Sequence, residues 1–483
     1  MDEYQVVVVG AGPTGMMLAA ELTLVGIDVV VLERRETFSL ESARSKGLHA
    51  RTLEVLDQRG VVERFLEAGT AAQVQGFGGI RLDIIDFPTR YNHGLALPQS
   101  QFEPLLAEWL DELDVRILRG REVTGISQAD TSVAVSLADA TTIRAQYVVG
   151  CDGGRSTIRK LAGIDFVGWD ASTRWITGEV EMERTPEFGL RGGGGIGPAQ
   201  DGRIGVTLTL PTVEDINEPT IEDLREALIR VDGNDYGVHS PHWLSTFTDT
   251  TRQATTYRKG RVLIAGDAAH VHAPLGGQGL NIGVQDAVNL GWKLAQVITG
   301  TSPEELLDTY TAERHPVAAR VLQNTMAQRA LTAGDDRTTA LRAILSETIT
   351  MDEPRKHLAG MISGLDVTYD LGEGHPLLGR RIPDLDLHTE TETIRLYSLL
   401  HNARPILLNL EPVDTRIDLT AWIERGLQYI DAIVSDGWEL PVIGDVPPPS
   451  AVFIRPDGHV AWVENSNNDD LKQALTTWLG PPG

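Results

Sequence analysis

The sequence predicts an α/β fold, α+β over the whole chain, in which a Rossmann-like nucleotide-binding domain carries an inserted antiparallel β-sheet. Three observations support this. A β-branched strand runs into a glycine-rich turn and an apolar helix at the N-terminus, alternating strand-like segments fill the middle, and a strand-rich segment follows a long helical stretch. The 483 residues exceed what one hydrophobic core holds, so two or three domains are expected.

Composition excludes several classes of partner. Acidic residues outnumber Lys and Arg by 68 to 42, for a formal net charge of -26, and such a field repels nucleic acid and anionic membranes. Cys151 is the sole cysteine, which excludes intramolecular disulfides and suits a reducing cytoplasm. The apolar N-terminus lacks a basic leader and is interrupted by Gly10, Pro13 and Glu21, so neither a secretion signal nor a membrane span is expected.

The N-terminal segment predicts a dinucleotide site. Residues 4–9 and 28–32 read as buried parallel strands and 13–25 as a helix, with Gly10, Gly12 and Gly15 at the first junction as GxGxxG. The glycines permit a tight turn, a close approach to pyrophosphate and close helix packing, and Glu33 ends the second strand where an acid binds ribose. The alternative is a structural glycine turn. FAD and NAD both remain open at this point.

A second GxGxxG match, Gly192 to Gly197, is not expected to bind a nucleotide. No apolar strand precedes it, no helix follows, and the next segment, "RIGVTLTL", alternates like an antiparallel strand. The chain therefore has one nucleotide fold. A reductase with separate FAD and NAD domains would need two.

The stretch "VLIAGDAAHVHAPLGGQGLNIGVQDA", residues 262–287, contains the second predicted part of the site. Residues 261–265 predict a strand, Gly266 and Asp267 its end, and 282–297 an amphipathic helix. Between them, "PLGGQGLN" at 274–281 supplies backbone amides at a helix N-terminus, which suits an electron-rich carbonyl or a reduced flavin.

Together with "YVVGCDGGRSTIRK" at 147–160, these motifs resemble the class A flavoprotein aromatic hydroxylases, the group containing p-hydroxybenzoate and phenol hydroxylases. Three signatures of that family occur in order: GxGxxG, the DG motif at Asp152 and Gly153, and the GD motif at Gly266 and Asp267. The resemblance implies non-covalent FAD, with NADPH or NADH as transient donor and O₂ as co-substrate.

The resemblance nominates cofactor-binding residues one by one. They are Gly10, Gly12, Pro13, Thr14, Gly15, Glu33, Arg34, Arg44, Gln99, Asp152, Gly153, Gly266, Asp267, Pro274, Gly276, Gly277, Gly279, Leu280 and Asn281. Arg51 is a less certain neighbour of Arg44. Arg155 and Arg159 are candidates for the donor's phosphates, and exposed surface arginines are the alternative reading.

His270 and His272 raise the question of a metal, but no third ligand with suitable spacing is visible, so none is expected. Covalent flavin attachment to either histidine is chemically open, and nothing in the sequence requires it.

The order of segments predicts three domains. The FAD-binding domain is discontinuous, at 1–75, 100–165 and 261–370, and the substrate-binding sheet comprises 76–99 and 166–260. Residues 371–483 resemble the thioredoxin-like C-terminal extension of phenol hydroxylase and polyketide hydroxylases. Here "FIRPDGHVAW", 453–462, is most like angucycline and anthracycline tailoring enzymes, with Pro456, Asp457 and Gly458 in a hairpin turn. The redox cysteines are missing, so a structural role is expected.

The family's chemistry implies that NAD(P)H reduces FAD, O₂ adds at flavin C4a, and the distal oxygen of the hydroperoxide attacks an aromatic ring. The expected substrate is a polycyclic aromatic polyketide, and the protein is expected to act as a monomer or homodimer. Candidates for a base are Tyr91, His93 and Tyr257. Phe77, Trp169, Trp175 and Phe188 could line the substrate pocket, although core packing explains them equally well.

Two alternative functions stay open. One is a monooxygenase that inactivates a tetracycline or rifamycin antibiotic. The other is a flavoprotein without oxygenase activity, such as a dehydrogenase, a cyclase or a scaffold with structural FAD.

Overall fold

A computed structural model describes residues 3–37, 45–191, 194–214, 218–332, 335–411, 417–435, 437–464 and 468–482. The helices of these residues, in chain order, are α1 (Pro13–Leu24), α2 (Ala50–Asp57), α3 (Val62–Ala68), α4 (Gln99–Glu112), α5 (Thr157–Leu161), α6 (Ile221–Asp232), α7 (Gln278–Ile298), α8 (Asp308–Leu331), α9 (Asp336–Ile349), α10 (Asp352–Ser363), α11 (Thr420–Glu424) and α12 (Asn468–Leu479). Arg44 lies outside the described residues.

The strands, also in chain order, are β1 (Glu3–Val9), β2 (Val29–Glu33), β3 (Gly47–Leu48), β4 (Thr70–Ala72), β5 (Gly76–Phe77), β6 (Ile80–Arg81), β7 (Gly94–Ala96), β8 (Arg116–Arg119), β9 (Val123–Gln128), β10 (Val133–Leu137), β11 (Thr142–Gly150), β12 (Phe166–Trp169), β13 (Arg174–Met182), β14 (Gly189–Arg191), β15 (Gly194–Pro198), β16 (Ile204–Thr209), β17 (Val238–Thr248), β18 (Thr251–Ala254), β19 (Arg258–Lys259), β20 (Val262–Ile264), β21 (His270–Val271), β22 (Asp386–His388), β23 (Thr393–Arg395), β24 (Ile406–Asn409), β25 (Gln428–Asp431), β26 (Glu439–Leu440), β27 (Gly444–Asp445), β28 (Ala451–Ile454) and β29 (Val460–Val463).

The nucleotide domain is built on one sheet with the strand order β19-β20-β11-β1-β2-β8. The strands from β20 to β8 in this order are parallel to their neighbours, whereas β19, β10 and β9 join as antiparallel strands. Val6, Val7 and Val8 of β1 are fully buried, as expected for a parallel strand covered on both faces.

The inserted sheet is antiparallel, with the order β14-β15-β16-β13-β17. Along β13 and β16, Ile176, Val206 and Leu208 point to one face, where they pack with Leu224 and Leu228 of α6. The alternate residues of these strands face the other way. Helix α6 therefore covers one face, and the opposite face, called the free face below, is not covered by this helix.

Strands β12 and β18, which the sequence assigns to the insert, form a separate sheet with β21 of the nucleotide domain. They are the strands by which the chain leaves and re-enters the nucleotide domain, so they pair with it. The domain boundaries given above stay a prediction.

The C-terminal residues form a four-stranded sheet with the order β25-β24-β28-β29. Strands β24 and β25 are parallel, whereas β28 is antiparallel to both β24 and β29. Pro456, Asp457 and Gly458 lie in the turn between β28 and β29, and Gly458 has φ +75°. The turn is buried against the nucleotide domain, because Arg455 and Asp457 are almost completely inaccessible. No helix of the described residues is long and apolar enough to cross a membrane.

Candidate active site

The carboxyl ends of four parallel strands meet at one edge of the central sheet. Val9 of β1 pairs with Leu32 of β2 and Gly150 of β11, and Gly150 pairs with Ile264 of β20. The segments that follow these strands are the glycine turn, Glu33, the DG motif and the GD motif. Open α/β sheets bind ligands at this edge, so the sheet assembles motifs that are far apart in sequence.

The glycines of the first turn have different steric surroundings. Gly10 has φ +106°, and a Cβ there would lie 2.4 Å from the Cys151 carbonyl oxygen; a Cβ on Gly15 would lie 1.9 Å from the Gly10 carbonyl oxygen. A Cβ on Gly12 would meet nothing within 4 Å. Gly10 and Gly15 thus permit close packing, and Gly12 leaves open space before the N-terminus of α1, where a phosphate can approach.

Glu33 lies beside this turn. Its carboxylate accepts hydrogen bonds from the backbone N–H groups of Ala11 and Arg35, each at 2.8 Å. Burial opposes ionisation, but these N–H groups and the Arg35 guanidinium hold the pKa of Glu33 below its usual value. The acid is therefore ionised and positioned where a ribose is expected.

Arg35 and Glu103, which the sequence alone does not single out, support this end of the site. Arg35 donates to Glu103 of α4 at 3.2 Å, and Gln99 Nε2 donates to the same carboxylate at 2.7 Å. Arg34, which was predicted to contact the cofactor, is exposed. No local pattern distinguishes Arg35 from Arg34, since the partner Glu103 lies 68 residues further on.

The carboxylate of the DG motif forms its hydrogen bonds with neighbouring residues of the same turn. Asp152 accepts hydrogen bonds from Ser156 Oγ and from the backbone N–H groups of Thr157 and Ile158, so its carboxylate caps α5. Gly153 has φ +80° with open space at its Cβ position. Asp152 thus shapes the turn, which leaves Gly153 as the open approach to a cofactor.

The two arginines of this segment differ. Arg159 is buried, donates to the carbonyl oxygens of Ala268 and Gly154, and stacks 3.7 Å above the Phe166 ring centroid. It is neither a surface arginine nor accessible to a donor's phosphates, and it instead ties the DG motif to the GD turn. Arg155 is exposed and stays a candidate for the donor.

The GD turn places Asp267 beside the start of α7. Gly266 has φ +62°, and a Cβ there would lie 2.5 Å from Thr14 Oγ1; a Cβ on Gly283 would lie 2.3 Å from the same atom. Thr14 therefore packs between the turn and α7. Asp267 is exposed at this junction.

Helix α7 begins at Gln278, four residues before the predicted start, and no side chain caps it. Gly276 and Gly277 both have positive φ in the preceding turn, Pro274 is exposed, and Leu280 packs partly buried against the core. His272 Nε2 is buried without a hydrogen-bond partner among the described residues, 3.6 Å from where a Cβ on Gly279 would stand. Free amides, an exposed carboxylate and an unpartnered ring nitrogen fit the flavin end of FAD.

The side chain of Asn281 forms hydrogen bonds within the protein. Its Oδ1 accepts from the His49 N–H at 2.8 Å and from Thr52 Oγ1 at 2.6 Å, and its Nδ2 donates to the Gly277 carbonyl oxygen at 2.8 Å. The side chain clamps the segment before α2 onto α7, so only the backbone of Asn281 is left for a cofactor.

Arg51 is also used elsewhere. It is buried and donates to Glu54 and to the Asp457 carbonyl oxygen of the C-terminal turn. The Arg51 guanidinium is therefore held between α2 and the C-terminal turn.

The three candidates for a base are in unlike surroundings. Tyr257 is fully buried, hydrogen-bonded to Gln253 and packed against Tyr310, which makes it a core residue. Burial and the neighbouring Asp57 raise the pKa of Tyr91 far above its usual value, so its phenolate does not form. His93 is partly exposed, with Nδ1 3.0 Å from the Gly94 carbonyl oxygen, and its role stays a prediction.

The predicted pocket aromatics are not gathered in one place. Trp169 and Phe188 are 59% and 46% exposed, and Phe77 packs into the core of the nucleotide domain. Trp175 is buried on the free face of the insert, where it stacks on Phe247 at 5.2 Å between ring centroids.

A cavity of about 320 Å³ lies between this free face and the segment before β3. It is lined by Lys46 and by the insert residues Gly189, Gly195, Ile196, Gly197, Pro198, Gly205 and Thr207. A Cβ on Gly197 would meet nothing within 4 Å, and one on Gly205 would meet nothing closer than 3.7 Å. Gly197 and Gly205 are therefore not required by packing, and they leave a broad groove.

No group of three or more His, Cys, Asp or Glu in the described part of the chain is arranged to hold a metal ion. His270 instead bonds Asp286, with His270 Nε2 2.7 Å from Asp286 Oδ2.

The fold and the site define an FAD-dependent enzyme in which one nucleotide domain carries a separate antiparallel sheet. Two family models match the chain: the FAD binding domain over residues 3–325 and the aromatic-ring hydroxylase C-terminal domain over 375–482. The chain belongs to the FAD-dependent aromatic-ring hydroxylases.

Its relatives span the full length. The chain is 43% identical to a rifampicin monooxygenase of Streptomyces venezuelae, with 99% of each chain covered. Among solved structures it is similar to OxyS anhydrotetracycline hydroxylase from Streptomyces rimosus, with TM-score 0.92, 41% identity and 100% of each chain covered. It is also similar to CabE, an aromatic hydroxylase from angucycline biosynthesis, with TM-score 0.90, 40% identity and coverage of 99% and 100%.

A relative of another kind is dialkyldecalin synthase of Streptomyces rugosporus, at 36% identity over 99% of each chain. The same architecture therefore includes a protein that is not named for oxygen transfer.

Proposed function

We propose that the protein is an FAD-dependent, NAD(P)H-consuming monooxygenase that hydroxylates a polycyclic aromatic polyketide. The overall reaction is Ar–H + O₂ + NAD(P)H + H⁺ → Ar–OH + NAD(P)⁺ + H₂O. When bound, FAD takes two electrons from the nicotinamide and activates O₂, which is chemistry that no side chain supplies.

The observation that carries the choice of substrate is the glycine-lined groove. A volume of about 320 Å³ is within the range of small-molecule sites, and side chains are absent where a flat ring system would need width. Lys46, at the groove, is three residues from His49, which Asn281 fastens to the start of α7. The groove thus adjoins the predicted flavin end of the site.

The residues of the chain divide the remaining tasks. Glu33 and the amides of α1 bind the adenosine diphosphate half, and Asp267 with the first turn of α7 binds the flavin half. The free face of the insert, with Thr177 and Thr207 in hydrogen-bond contact at 2.9 Å, orients the substrate and excludes water.

The test is the rate of NADPH oxidation with and without a panel of polycyclic phenols and antibiotics. We expect one compound class to stimulate NADPH and O₂ consumption and to yield a product heavier by one oxygen atom. Stimulation by a tetracycline or rifamycin instead would favour antibiotic inactivation, the role suggested by the rifampicin monooxygenase relative.

A second candidate is a non-oxygenase, which the dialkyldecalin synthase relative favours. It predicts bound FAD, no substrate-stimulated NADPH oxidation and a product without added oxygen. Product mass and O₂ consumption therefore separate the two candidates in one experiment.

We also propose that the protein is cytoplasmic, which its single cysteine suits. We further propose that the protein acts as a monomer or homodimer.

A further inference from the structure

The GD turn is fastened to a buried carboxylate that the sequence motifs do not include. Asp286 of α7 is fully buried, and its Oδ2 accepts a hydrogen bond from the Gly266 N–H at 3.1 Å. The same oxygen lies 2.7 Å from His270 Nε2, just after the turn. One carboxylate therefore bonds both ends of the segment that presents Asp267.

Arg314 of α8 keeps this carboxylate charged. Arg314 Nε donates to Asp286 Oδ1 at 2.7 Å, and its other nitrogens donate to the Ile282 carbonyl oxygen and to the Tyr369 hydroxyl. Burial alone would favour the neutral acid, but Arg314 and His270 hold the pKa of Asp286 below its usual value.

The hydrogen-bond pattern also shows which ring nitrogen of His270 is the donor. An ionised carboxylate only accepts hydrogen bonds, so His270 Nε2 carries a proton and donates to Asp286. Nδ1 is buried and has no partner among the described residues. Donation to Asp286 is therefore the polar contact that orients this ring.

The geometry points to Asp286 as a positioning residue for the flavin: with His270 and Arg314, it holds the GD turn in the conformation that aims Asp267 and the neighbouring backbone at the cofactor. The inference rests on FAD as the cofactor and is independent of the substrate. Asp286 acts through the turn, since it is inaccessible to any ligand.

The backbone of the turn explains why such a fastening is needed. Gly266 adopts φ +62°, and Asp267 next to it is exposed and forms no side-chain hydrogen bond within the described part of the chain. The bond from the Gly266 N–H to Asp286 is therefore the restraint on the turn from the side of α7. Losing the carboxylate's charge would loosen the turn without removing any group that touches FAD.

The first test compares Asp286→Asn with Glu21→Gln. Glu21 is an equally buried carboxylate bonded to Arg59 at 2.6 and 2.8 Å, so its variant removes the same kind of ion pair away from the turn. We expect Asp286→Asn to raise the Kd for FAD about 10- to 100-fold, as loss of a hydrogen bond to a charged group does. Glu21→Gln should leave it within about threefold while lowering Tm comparably.

A second readout reports orientation rather than stability. The visible circular dichroism of bound FAD at saturating cofactor should change in Asp286→Asn and stay as in the wild type in Glu21→Gln. Equal FAD Kd values and equal spectra for the two variants would overturn the inference, even if both lower Tm.

Should Asp286→Asn not fold, a milder pair of variants decides. His270→Leu removes the donor to Asp286, whereas His270→Gln keeps an N–H group near the position of Nε2. We expect Leu to weaken FAD binding at least about fivefold and Gln to restore it to within about twofold of the wild type. Identical affinities of the Leu and Gln variants would overturn the positioning role. Substrate-stimulated turnover is not used, so failure of the proposed function would not affect the result.

Discussion

Arg455 at the end of β28 and Glu313 of α8 form a buried ion pair with two hydrogen bonds, 2.7 Å from Nη1 to Oε1 and 2.9 Å from Nη2 to Oε2. Asp457 accepts from the same guanidinium, and Lys293 of α7 donates to Glu313 at 2.9 Å. Glu313 adjoins Arg314, so neighbouring residues of α8 bind the C-terminal turn and the carboxylate behind the GD turn.

The backbone of the C-terminal turn is bound as well. Arg59 of the nucleotide domain donates to the Pro456 carbonyl oxygen at 2.9 Å, and Arg51 donates to that of Asp457 at 3.1 Å. These buried bonds make the turn part of the core of the nucleotide domain. These hydrogen bonds are the physical basis of the structural role expected for the C-terminal segment.

Replacing Arg455 by Met should destabilise the whole protein. The variant leaves Glu313 and Asp457 buried with one cation fewer, which costs about 3–5 kcal/mol in comparable buried pairs. The free energy of unfolding in urea, at fixed FAD concentration, measures this loss. Arg64→Met is the control, because the Arg64–Glu112 pair is partly exposed and should contribute less than about 1 kcal/mol. Equal effects of the two variants would contradict a buried ionic junction.

Acid should destabilise the protein through buried histidines. His49 Nε2 lies 2.7 Å from the Gly276 carbonyl oxygen, and burial lowers the pKa of His49 to about 4 from its ordinary 6.5. The unfolded chain therefore binds the proton first, so the stability contribution is complete above pH 6.5 and is lost as pH falls to about 4. Burial lowers the pKa of His459 to about 4 as well, so both residues act in the same window.

The variant His49→Gln isolates one of these contributions. Between pH 4 and 6.5, it should reduce the slope of unfolding free energy against pH by about 1.4 kcal/mol per pH unit, one proton's share. The wild type, measured in the same buffers, is the reference. A slope unaltered by His49→Gln would show that this ring does not resist protonation.

The sequence predicts the parts of this molecule that depend on local chemistry. The strand, turn and helix around Gly10 to Gly15 follow from β-branched runs and from steric needs that only glycine meets. The rejection of Gly192 to Gly197 as a second nucleotide site follows because no apolar strand pattern leads into it and no helical pattern follows it. Both inferences use neighbouring residues only.

Contacts between residues that are far apart in the sequence cannot be predicted from neighbouring residues. Arg159 resembles a surface cation in sequence, yet it meets Ala268, 109 residues away. Arg51 and Asp457, 406 residues apart, meet because the C-terminal turn docks on α2. Asp286 lies within the motif-bearing stretch, but its role depends on Arg314 of another helix.

Asp267→Ala should give a folded protein that has lost most of its yellow colour. The exposed carboxylate stands beside the uncapped start of α7, where the ribityl chain of FAD is expected. The ratio of flavin to protein absorbance after purification measures retention, and Asp111→Ala is a control at another exposed aspartate. Normal flavin content in Asp267→Ala would rule out this assignment.

Glu33→Ala should weaken FAD binding more modestly, by about 1.5–3 kcal/mol, the range for a hydrogen bond to a charged group. Titration of the apoprotein with FAD gives the affinity. Part of the loss would come from the turn, because Glu33 also holds the Ala11 N–H at 2.8 Å. Glu33→Gln keeps an acceptor for that N–H, so it should retain more FAD affinity than Glu33→Ala. Equal losses of FAD affinity in the two variants would show that the whole effect comes from the charge of the carboxylate.

Gly197→Val should block a large substrate while sparing the fold and the flavin. A Cβ at this position meets no atom within 4 Å, so the side chain would project into the groove and not into protein. We expect NADPH oxidation without substrate and flavin content to stay near wild type, and KM for a polycyclic substrate to rise about 10-fold or more, since about 1.4 kcal/mol of lost contact suffices. Gly125→Ala on β9, with its nearest neighbour at 3.5 Å, is the control for adding a side chain to a strand glycine. If Gly197→Val left KM unchanged for large and small aromatic substrates alike, the groove would not be where the substrate binds. If it raised KM only for the larger rings, the glycines would be what gives this protein its capacity for them.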